Sequence, residues 1–501
     1  MKILVGFPPT EARHGGTILL SQNRQLQEFH EPTFLYPVVM ATAATFLRDE
    51  GYDVRWMDCI AEDVSMEKFI DFIDKEKIEL FFFETKGPVI KRHWKVADKL
   101  KERFPNLKIV ICGDHVSWEP GIKETMENSK IDFAINGGDY DFAIVDLVKA
   151  LERKEKIPEG IWYRKNEKVV KNGRYHFKRK LDEAPFPDRD LVPLGPYSKE
   201  FNLAYKPHTY IMSGRDCWYG RCTFCVWDHT LYPLGTFGVR SPENVLEEVK
   251  YLVDKHGVRE IFDDCGTITI GNWLKKFCNL MIESGYNKKV KYSCNMRFGA
   301  VNLEEYKLMK KAGFRLLKFG LESGEQKTID KLDKSTKIEE IIPSCRDAKK
   351  AGLVVHLTMM VGYPWESKED AEKTFQLAKR LMVKGYADVL QSTIVIPYPG
   401  TPLYDEGVEK GWFRFDPKDY DRFDMREPVF KTPDMTPEEV NEVCNRVYTI
   451  FWHPEYVIRR ILNIRSFVDL KYTLNGAKAV IGHMKDFGNG VKKKIVNPAE
   501  A

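Results

Sequence analysis

The sequence predicts an α/β protein with two parallel sheets and a mainly helical C-terminal region. Two observations predict this fold class. Short apolar strands alternate with amphipathic helices over residues 1–150, and six more strand–helix units follow over 206–404. We therefore expect a doubly wound, Rossmann-like domain, a linker over 151–205, a barrel or partial (β/α)6 barrel, and a helical extension over 405–501.

Length, charge and the N-terminus exclude several classes of protein. The chain has 501 residues, of which 43% are hydrophobic and 30% charged, and a formal net charge of +4. This length suits two or three domains with cores of their own, and the balanced charge gives no argument for a nucleic-acid partner. Pro8 and Pro9 interrupt the first apolar run, which is too short for a signal peptide. No apolar stretch approaches the roughly 18 residues of a membrane span, and we expect a cytoplasmic protein.

The first segment carries five buried-strand patterns, each leading into a helix or a polar loop. The strands are KILVGF, DVRWMD, ELFFFET, KIVICGD and DFAING, and the loops PPTEARHGG, ETKGP, GDHVSWEPG and NGGDYD are rich in Gly, Pro and His. Ligands of open α/β sheets bind at the carboxyl ends of the strands, so we expect a ligand site along these loops. No G-x-G-x-x-G follows the first strand, which disfavours an ordinary nicotinamide or flavin dinucleotide site.

A hairpin and a proline-rich stretch make up the linker. The stretch GIWYRKNEKVVKNG predicts two strands, with Asn172–Gly173 as the turn signal. The following stretch, EAPFPDRDLVPLGPY, contains four prolines, which preclude regular structure.

The middle segment repeats one strand–helix unit six times. Its strands are HTYIMS, REIFDD, VKYSCN, RLLKFG, VVHLTMMVG and VLQSTIVIP. Ser241–Pro242 predicts the start of one helix and Gly257 its end, and Asn302 with Glu305 predicts a capping box at the start of another. The repeat implies a parallel barrel with its chemistry at the carboxyl ends of the strands.

Three of the ten cysteines are clustered in one loop after the first barrel strand. Cys217, Cys222 and Cys225, in RDCWYGRCTFCVW, have the spacing C-x4-C-x2-C, and the other seven are scattered singly as expected core residues. A structural zinc site requires four protein ligands. Three thiolates instead bind three irons of a 4Fe–4S cluster and leave the fourth iron free for another ligand. His229 is the alternative fourth ligand, which would give a Cys3His zinc site. Ten cysteines without an export signal also indicate a reducing compartment.

This loop resembles that of the radical S-adenosylmethionine (SAM) superfamily, in which three cysteines hold a 4Fe–4S cluster and the open iron chelates SAM. The resemblance implies that Cys217, Cys222 and Cys225 are the cluster ligands. It also implies that Phe224, the aromatic before the third cysteine, lies beside the adenine of SAM. The family spacing is usually C-x3-C-x2-C, so this chain has one extra residue between its first two cysteines.

The ends of the other barrel strands fit the same resemblance. It implies that Asp263 and Asp264 in FDDCGT bind the SAM amino group. Arg297 in CNMR would lie near the SAM carboxylate, and Glu322 in KFGLESG would contact SAM. The motifs GYP and PYPGTPLY mark the fifth and sixth strands. The alternative for each charged residue is a salt bridge at a strand end.

The first segment resembles the cobalamin-binding domain that precedes such barrels. The similarity lies in its strand–helix order and in the GDHVSW and INGGDYD loops. The D-x-H-x-x-G signature of a lower histidine ligand is absent, as it often is in radical SAM members. His115 is the nearest candidate contact, with a solvated loop histidine as the alternative. The motif CTFC-x-W…TL and the stretch LVVH match the branch that includes hopanoid-lipid biosynthesis proteins.

The resemblance implies an enzyme that reductively cleaves SAM and uses the 5′-deoxyadenosyl radical on an unactivated C–H bond of a small molecule or lipid. With cobalamin, methylation is expected, and cyclisation or ring rearrangement of a lipid is the alternative. A flavodoxin- or ferredoxin-type protein would supply electrons. An RNA methylthiotransferase carries a second three-cysteine set, whereas the first segment here has only Cys59 and Cys112. The third alternative, a non-enzymatic zinc or iron–sulfur module, is disfavoured by the strand-end motifs.

The last segment becomes basic and helical between His453 and Gly490, and it ends in a tail with Lys492–Lys494. Apolar residues alternate with the basic residues Arg459, Arg460, Arg465, Lys471, Lys478 and Lys485. Such a pattern predicts contact with an apolar substrate or with an anionic membrane surface. The alternative is a helix packed on the barrel with a solvated basic face.

Overall fold

The computed structural model describes residues 1–12, 34–176, 180–198 and 203–487, with the backbone alone for 483–487 and for two strands within 13–33. Parts of the predicted PPTEARHGG loop and the whole Lys492–Lys494 tail lie outside the described residues. Among those described, no helix combines the length and the apolarity needed to cross a bilayer.

The N-terminal domain is the predicted doubly wound α/β sheet. Its strands are β1 Lys2–Phe7, β2 Thr17–Leu20, β3 Leu26–Phe29, β4 Asp53–Asp58, β5 Leu80–Thr85, β6 Lys108–Gly113, β7 Phe133–Ile135, β8 Ile161–Lys165 and β9 Lys168–Val170. Its helices are α1 Val38–Asp49, α2 Met66–Glu76, α3 Ile90–Arg103, α4 Glu119–Asn128 and α5 Tyr140–Arg153. The sheet order is β4-β1-β5-β6-β7-β8-β9, with β2 and β3 forming a separate hairpin. Beside β1 the order of successive strands reverses, because β4 adds to one side of β1 and β5 to the other. Ligands of doubly wound sheets bind at such a switch point.

The predicted hairpin forms, but its turn is not where the sequence placed it. Strands β8 and β9 pair up to Lys165 and Lys168, so the turn lies at Asn166 and Glu167, both with positive φ. The amide of Asn172 instead donates to the carbonyls of Ile157, Pro158 and Ile161 and fixes the chain after the hairpin. Because β8 pairs antiparallel with β7, the hairpin extends the N-terminal sheet.

The central domain is the predicted partial barrel of parallel strands. Its strands are β10 His208–Ile211, β11 Gly214–Arg215, β12 Gly238–Val239, β13 Glu260–Asp263, β14 Lys291–Met296, β15 Phe314–Glu322, β16 Val354–Val361 and β17 Val389–Ile394. The sheet order is β10-β13-β14-β15-β16-β17, all parallel, while β11 and β12 form a short antiparallel ribbon. Within the described residues β10 and β17 do not pair, so the barrel is open between them.

Helices cover the outside of the barrel. They are α6 Pro242–His256, α7 Asn272–Glu283, α8 Tyr286–Lys289, α9 Leu303–Lys311, α10 Gln326–Lys331, α11 Ile338–Lys350 and α12 Lys368–Val383. The predicted caps are confirmed, because Ser241 caps the start of α6, Gly257 ends it at a φ of 63°, and Asn302 and Glu305 form a capping box on α9. Side chains that point outward from the barrel, such as Leu317, are fully buried against these helices. Burial of each such side chain stabilises the fold by about 1.5–3 kcal/mol.

The C-terminal region is helical, as predicted, and contacts both domains. Its helices are α13 Pro402–Glu409, α14 Pro437–Arg446, α15 Pro454–Leu462 and α16 Phe467–Phe487. Between α13 and α14, Tyr420 donates a hydrogen bond to Glu124 of the N-terminal domain. On α16, the ring of Tyr472 lies 5.4 Å from the guanidinium of Arg315, at the amino end of β15.

The carboxyl ends of the two sheets face each other. A Cβ added at Gly87, after β5, would lie 3.7 Å from Pro399, after β17. One added at Gly400 would lie within 3.0 Å of Trp118, after β6. The loops at which each fold places ligands therefore meet between the domains.

Candidate active site

The three clustered cysteines lie on the loop between β11 and β12, at the carboxyl end of the barrel. Cys222 is buried, and Cys217 and Cys225 are partly exposed. The backbone N–H of Cys225 donates to the carbonyl of Cys222 at 3.0 Å, which closes the turn between them. Just before Cys217, Asp216 adopts a φ of 73°, in the left-handed region that favours glycine.

Two cations face the cysteine loop and act on its thiols. Burial raises the pKa of Cys222, while the nearby charges of Lys334 and Arg297 act in the opposite direction. Burial also raises the pKa of the Cys217 thiol, to about 11. Thiolates are the form that binds iron, so a cation beside Cys222 favours the metal-binding state.

Lys334 is part of a buried ion pair with Glu322, a predicted site residue. The ammonium donates to Glu322 Oε1 at 2.7 Å, and the two side chains are 10% and 9% exposed. The same ammonium lies 5.9 Å from the ring centroid of Phe224. Burial alone would lower the pKa of Lys334, but Glu322 and Cys222 leave it raised. The structure thus brings Glu322, Phe224 and Cys222 together around one ammonium.

Arg297 packs on the cysteine loop itself. Its guanidinium lies 3.6 Å from the ring centroid of Tyr219 and 5.8 Å from that of Trp218, and it donates to the carbonyl of Lys334. Arg297 therefore lies at the predicted strand end. There its guanidinium group makes cation–π contacts with the aromatic residues between Cys217 and Cys222.

The two adjacent aspartates have different environments. Asp263 Oδ1 accepts from the backbone N–H of Ser213 at 2.9 Å, and its Oδ2 accepts from the hydroxyl of Tyr292 at 2.8 Å. Burial raises the pKa of Asp263. Both its oxygens are thus used within the barrel wall, which gives Asp263 a structural role. Asp264, also buried, accepts from the amide of Asn295 at 3.4 Å.

His115 is buried and does not lie in a solvated loop, so the solvated alternative is wrong. Its ring lies 5.0 Å from the ring centroid of Tyr420 and 6.4 Å from that of Trp118, and its Nε2 lies 3.7 Å from Glu124. The residue is 1% exposed, because Trp94 and Trp118 of its own domain and Tyr420 from the segment after α13 surround the ring. His115 lies on the loop after β6 of the N-terminal domain, and Arg174 connects this loop to the end of the cysteine loop by donating to the carbonyls of Ser117 and Thr230.

His229 does not complete a four-ligand zinc site. Its Nε2 lies 3.2 Å from the backbone carbonyl of Cys222, and its ring is half-buried. Among the residues that the structure describes, no group of three or more Cys, His, Asp or Glu side chains is arranged so that it could hold a metal ion. The donor set nevertheless fits a 4Fe–4S cluster, because three thiols without a fourth share one loop beside two cations.

The inner wall of the barrel is polar and partly accessible. The side chains of Asn295, Lys318, Thr358 and Gln391 are partly exposed, whereas their neighbours along each strand are buried. This alternation follows the period of two along a strand, with one face toward the helices and one toward the barrel interior. The ammonium of Lys318 lies 4.7 Å from the ring centroid of Phe262 inside the barrel.

Two residues at this site were missed in the sequence. Lys334 follows α10 in KLDKS and carries no motif, so only the fold shows that it returns to Glu322. Arg215 precedes the first cysteine and forms a buried ion pair with Asp141 of the N-terminal domain at 2.7 Å. The only feature of the sequence that could have drawn attention to Arg215 was its position two residues before Cys217.

Comparison with known proteins identifies the barrel. Residues 211–378 match the radical SAM superfamily. An uncharacterized methyltransferase of Pyrococcus horikoshii is 26% identical over 485 residues, 95% of this chain and 98% of that protein. An anaerobic magnesium-protoporphyrin IX monomethyl ester cyclase of Cereibacter sphaeroides is 24% identical over 435 residues, 83% of this chain and 67% of that protein. A hopanoid C-3 methylase of Methylococcus capsulatus is 22% identical over 424 residues, 83% and 76% of the two chains.

Two solved structures share the fold over both domains. The cobalamin-dependent SAM radical enzyme OxsB, with aqua-cobalamin and SAM bound, superposes with a TM-score of 0.69 at 15% identity, covering 97% of this chain and 71% of that one. The radical SAM methyltransferase TsrM of Kitasatospora setae superposes with a TM-score of 0.66 at 13% identity, covering 90% and 89%. Residues 211–378 therefore form a radical SAM domain, which implies a 4Fe–4S cluster and SAM as its cofactors.

Proposed function

We propose that Cys217, Cys222 and Cys225 hold three irons of the 4Fe–4S cluster and that the fourth iron binds SAM. The observation that carries this proposal is the loop itself, which holds three thiols without a fourth ligand at the carboxyl end of the barrel. When bound, the cluster supplies the electron for reductive cleavage of SAM. The role of the chain is to hold both and to exclude water and oxygen.

Four side chains around the loop suit the parts of SAM. Phe224 offers an apolar face to the adenine, and Asp264 offers a carboxylate to the amino group. Glu322 and the ammonium of Lys334 lie together beside Cys222, so Lys334 is the better placed of the two cations for the SAM carboxylate. Arg297 is engaged with Tyr219 and shapes the loop.

Replacement of the cysteines tests this assignment. After anaerobic reconstitution, the wild type should bind about four irons per chain, and Cys→Ala changes at 217, 222 or 225 should abolish both the cluster and SAM cleavage. Cys278→Ala and Cys444→Ala are matched controls, because both thiols are buried in the hydrophobic core. A triple alanine variant that still forms 5′-deoxyadenosine would contradict the proposal.

Cobalamin is the second cofactor we propose, at the carboxyl edge of the N-terminal sheet. A small cavity at the switch point is lined by Phe7, Asp58 and Glu84, at the ends of β1, β4 and β5, and by Tyr197 of the linker. The edge faces the cysteine loop, and the fold is that of an enzyme solved with cobalamin bound. Titration with hydroxocobalamin should shift its absorbance spectrum in the wild type and in the triple alanine variant alike. If the absorbance spectrum shifted with neither protein, cobalamin would not be bound, and methyl transfer would have no methyl carrier.

Methylation of a small molecule is the reaction we favour. The relative with the greatest coverage of both chains described above is named as a methyltransferase, and TsrM is one too. Cyclisation remains the second candidate, because the cyclase of Cereibacter sphaeroides aligns over 83% of this chain. The polar inner wall around Asn295, Lys318 and Gln391 favours a substrate with hydrogen-bonding groups over a plain hydrocarbon lipid. A flavodoxin- or ferredoxin-type protein would supply the electron.

We also propose that α15 and α16 contact an anionic membrane surface. Large apolar side chains are exposed there, including Ile461 at 60%, Leu462 at 73% and Phe467 at 79%. Exposed Arg465 and Lys471 lie next to them in the chain. Apolar residues beside cations suit an anionic headgroup layer, with about 1 kcal/mol for each basic residue near the surface.

Vesicle flotation tests the membrane contact. The full chain should float with phosphatidylserine-containing vesicles at low salt and less at high salt. Changing Ile461, Leu462 and Phe467 to Asp should abolish flotation. Leu234→Asp is the matched control, because this residue is also 60% exposed but lies elsewhere. Equal flotation of both variants would mean that the apolar face has another role.

A further inference from the structure

One loop of the N-terminal domain contacts both ends of the cysteine loop. It consists of the loop after β7 and the first two residues of α5, and we call this segment loop 136–141; it lies at the carboxyl edge of the N-terminal sheet. The cysteine loop begins after Arg215 and ends at the π-helical turn Trp227–Leu231. Loop 136–141 bonds to residues on each side of the three cysteines.

The first contact is a buried ion-pair cluster before Cys217. Arg215 Nη2 donates to Asp141 Oδ2 at 2.7 Å, and Arg215 Nη1 donates to Asp139 Oδ1 and Asp141 Oδ1, both at 3.2 Å. The side chain of Arg215 is 8% exposed and that of Asp141 is fully buried. A guanidinium bonded to two carboxylates in a buried interface has a fixed orientation, which surface ion pairs lack.

The second contact lies beyond Cys225. The backbone N–H of Gly138 donates to the carbonyl of Leu231 at 2.8 Å, and the hydroxyl of Tyr232 donates to the carbonyl of Gly138 at 3.2 Å. Tyr232 also stacks on Trp227, with ring centroids 5.9 Å apart. A Cβ added at Gly138 would lie 2.5 Å from Tyr232 Cζ, so no larger residue fits without moving this ring.

The backbone between the first contact and the cysteines is strained. Asp216 has a φ of 73°, a conformation that costs a non-glycine residue free energy unless its surroundings enforce it. Its carbonyl accepts from the N–H of Gly266 at 3.2 Å, and Arg215 is held on the other side. The anchored Arg215 thus fixes the direction in which the chain enters Cys217.

We propose that loop 136–141 is a positioning element that sets the conformation of the three-cysteine loop through Arg215 and Gly138. It rests on the proposed role of the three cysteines as cluster ligands. Because loop 136–141 lies at the edge where we place cobalamin, it connects that proposed site to the cysteine loop. Arg215 touches neither iron nor SAM in this proposal, and its effect is transmitted through the backbone of Cys217.

The test compares Arg215→Met and Gly138→Ala with matched controls in the full chain. Iron loss to a chelator from the anaerobically reconstituted protein should accelerate on the order of 10-fold in both variants. The EPR spectrum of the reduced cluster should change its g-values in both. Arg215→Lys should recover part of the wild-type behaviour, because one ammonium still pairs with Asp141 but cannot bridge both carboxylates.

The controls separate positioning from general destabilisation. Arg315→Met breaks an equally buried ion pair, with Glu260, at the opposite end of the barrel, and Gly195→Ala adds a Cβ with nothing within 4 Å. Both should keep the wild-type EPR spectrum and rate of iron loss. If Arg215→Met does not fold, Gly138→Ala carries the test. A wild type that binds no iron would refute the cluster assignment. A wild type with a cluster, and variants with unchanged spectra and iron loss, would overturn the positioning role alone.

Discussion

The ion pair of Lys334 and Glu322 gives the sharpest prediction for the barrel, since both charges are buried beside Cys222. Their polar atoms are 2.7 Å apart and the side chains are 10% and 9% exposed. Removing one partner leaves the other charge buried without compensation, which costs about 3–5 kcal/mol. Lys334→Met should therefore lower the free energy of unfolding by roughly 3 kcal/mol, and Glu322→Gln should lower it by a similar amount.

The double variant distinguishes a true pair from two independent residues. Lys334→Met with Glu322→Gln leaves no uncompensated charge, so it should be more stable than the sum of the single changes predicts, by roughly 2 kcal/mol. Urea unfolding of the apo chain, followed by tryptophan fluorescence, measures the four proteins of this cycle. Lys331→Met is the control, because Lys331 is exposed and lies only three residues away on α10.

Two results would refute this reasoning. If Lys334→Met were no less stable than Lys331→Met, the ammonium would not be held by a buried carboxylate. If the effects of the two single changes were additive, Lys334 and Glu322 would not interact. Either result would also remove the reason for placing Lys334 beside the SAM carboxylate.

Three further predictions follow from single residues. Burial raises the pKa of Asp58 from 3.8 to about 6, so this carboxyl stabilises the fold below its unfolded pKa and loses that effect as the pH rises through 6. Asp58→Asn should therefore be more stable than the wild type at pH 8, by roughly 3 kcal/mol, but not at pH 3.5, which unfolding at the two pH values will show. Glu167 has a φ of 63° in the hairpin turn, so Glu167→Gly should raise the free energy of urea unfolding by about 1 kcal/mol. Because Lys334 lowers the pKa of Cys222, Lys334→Met should slow alkylation of Cys222 in the apo protein at pH 8, as followed by mass spectrometry of its peptide; an unchanged rate would contradict this.

Local sequence rules could predict the elements but not every turn between them. The N-terminal sheet is covered on both faces, so its strands are continuous apolar runs. The capping residues Ser241 and Asn302 indicated where two helices of the barrel begin. The Asn172–Gly173 signal failed for a physical reason. Asn172 makes three hydrogen bonds to backbone carbonyls across the hairpin, while Asn166 and Glu167 adopt the positive φ of the turn.

The candidate site was predictable only where its residues are adjacent in sequence or at strand ends. The resemblance to the radical SAM superfamily singled out the cysteine loop by its spacing and Glu322 by its place after the fourth strand. Asp263 ends β13 and Asp264 follows it, and the period of two points their side chains in different directions, because Asp263 bonds to Tyr292 of the next strand. Lys334 and the burial of His115 depend on contacts between distant segments. Tyr420 reaches His115 from about 300 positions along the chain, which no local pattern encodes.

The geometry of the barrel separates the proposed membrane contact from the proposed chemistry. Tyr472 on α16 lies beside Arg315 at the amino end of β15, whereas the cysteine loop lies at the carboxyl end of the barrel, against the N-terminal sheet. A lipid bound at α16 would therefore not lie at the mouth of the barrel. Membrane attachment and a polar small-molecule substrate are compatible, because each uses a different end of the same domain. Flotation with vesicles would thus test only where the protein attaches. Substitution of side chains that face the barrel interior, such as Lys318 and Gln391, would test our proposal of a polar substrate.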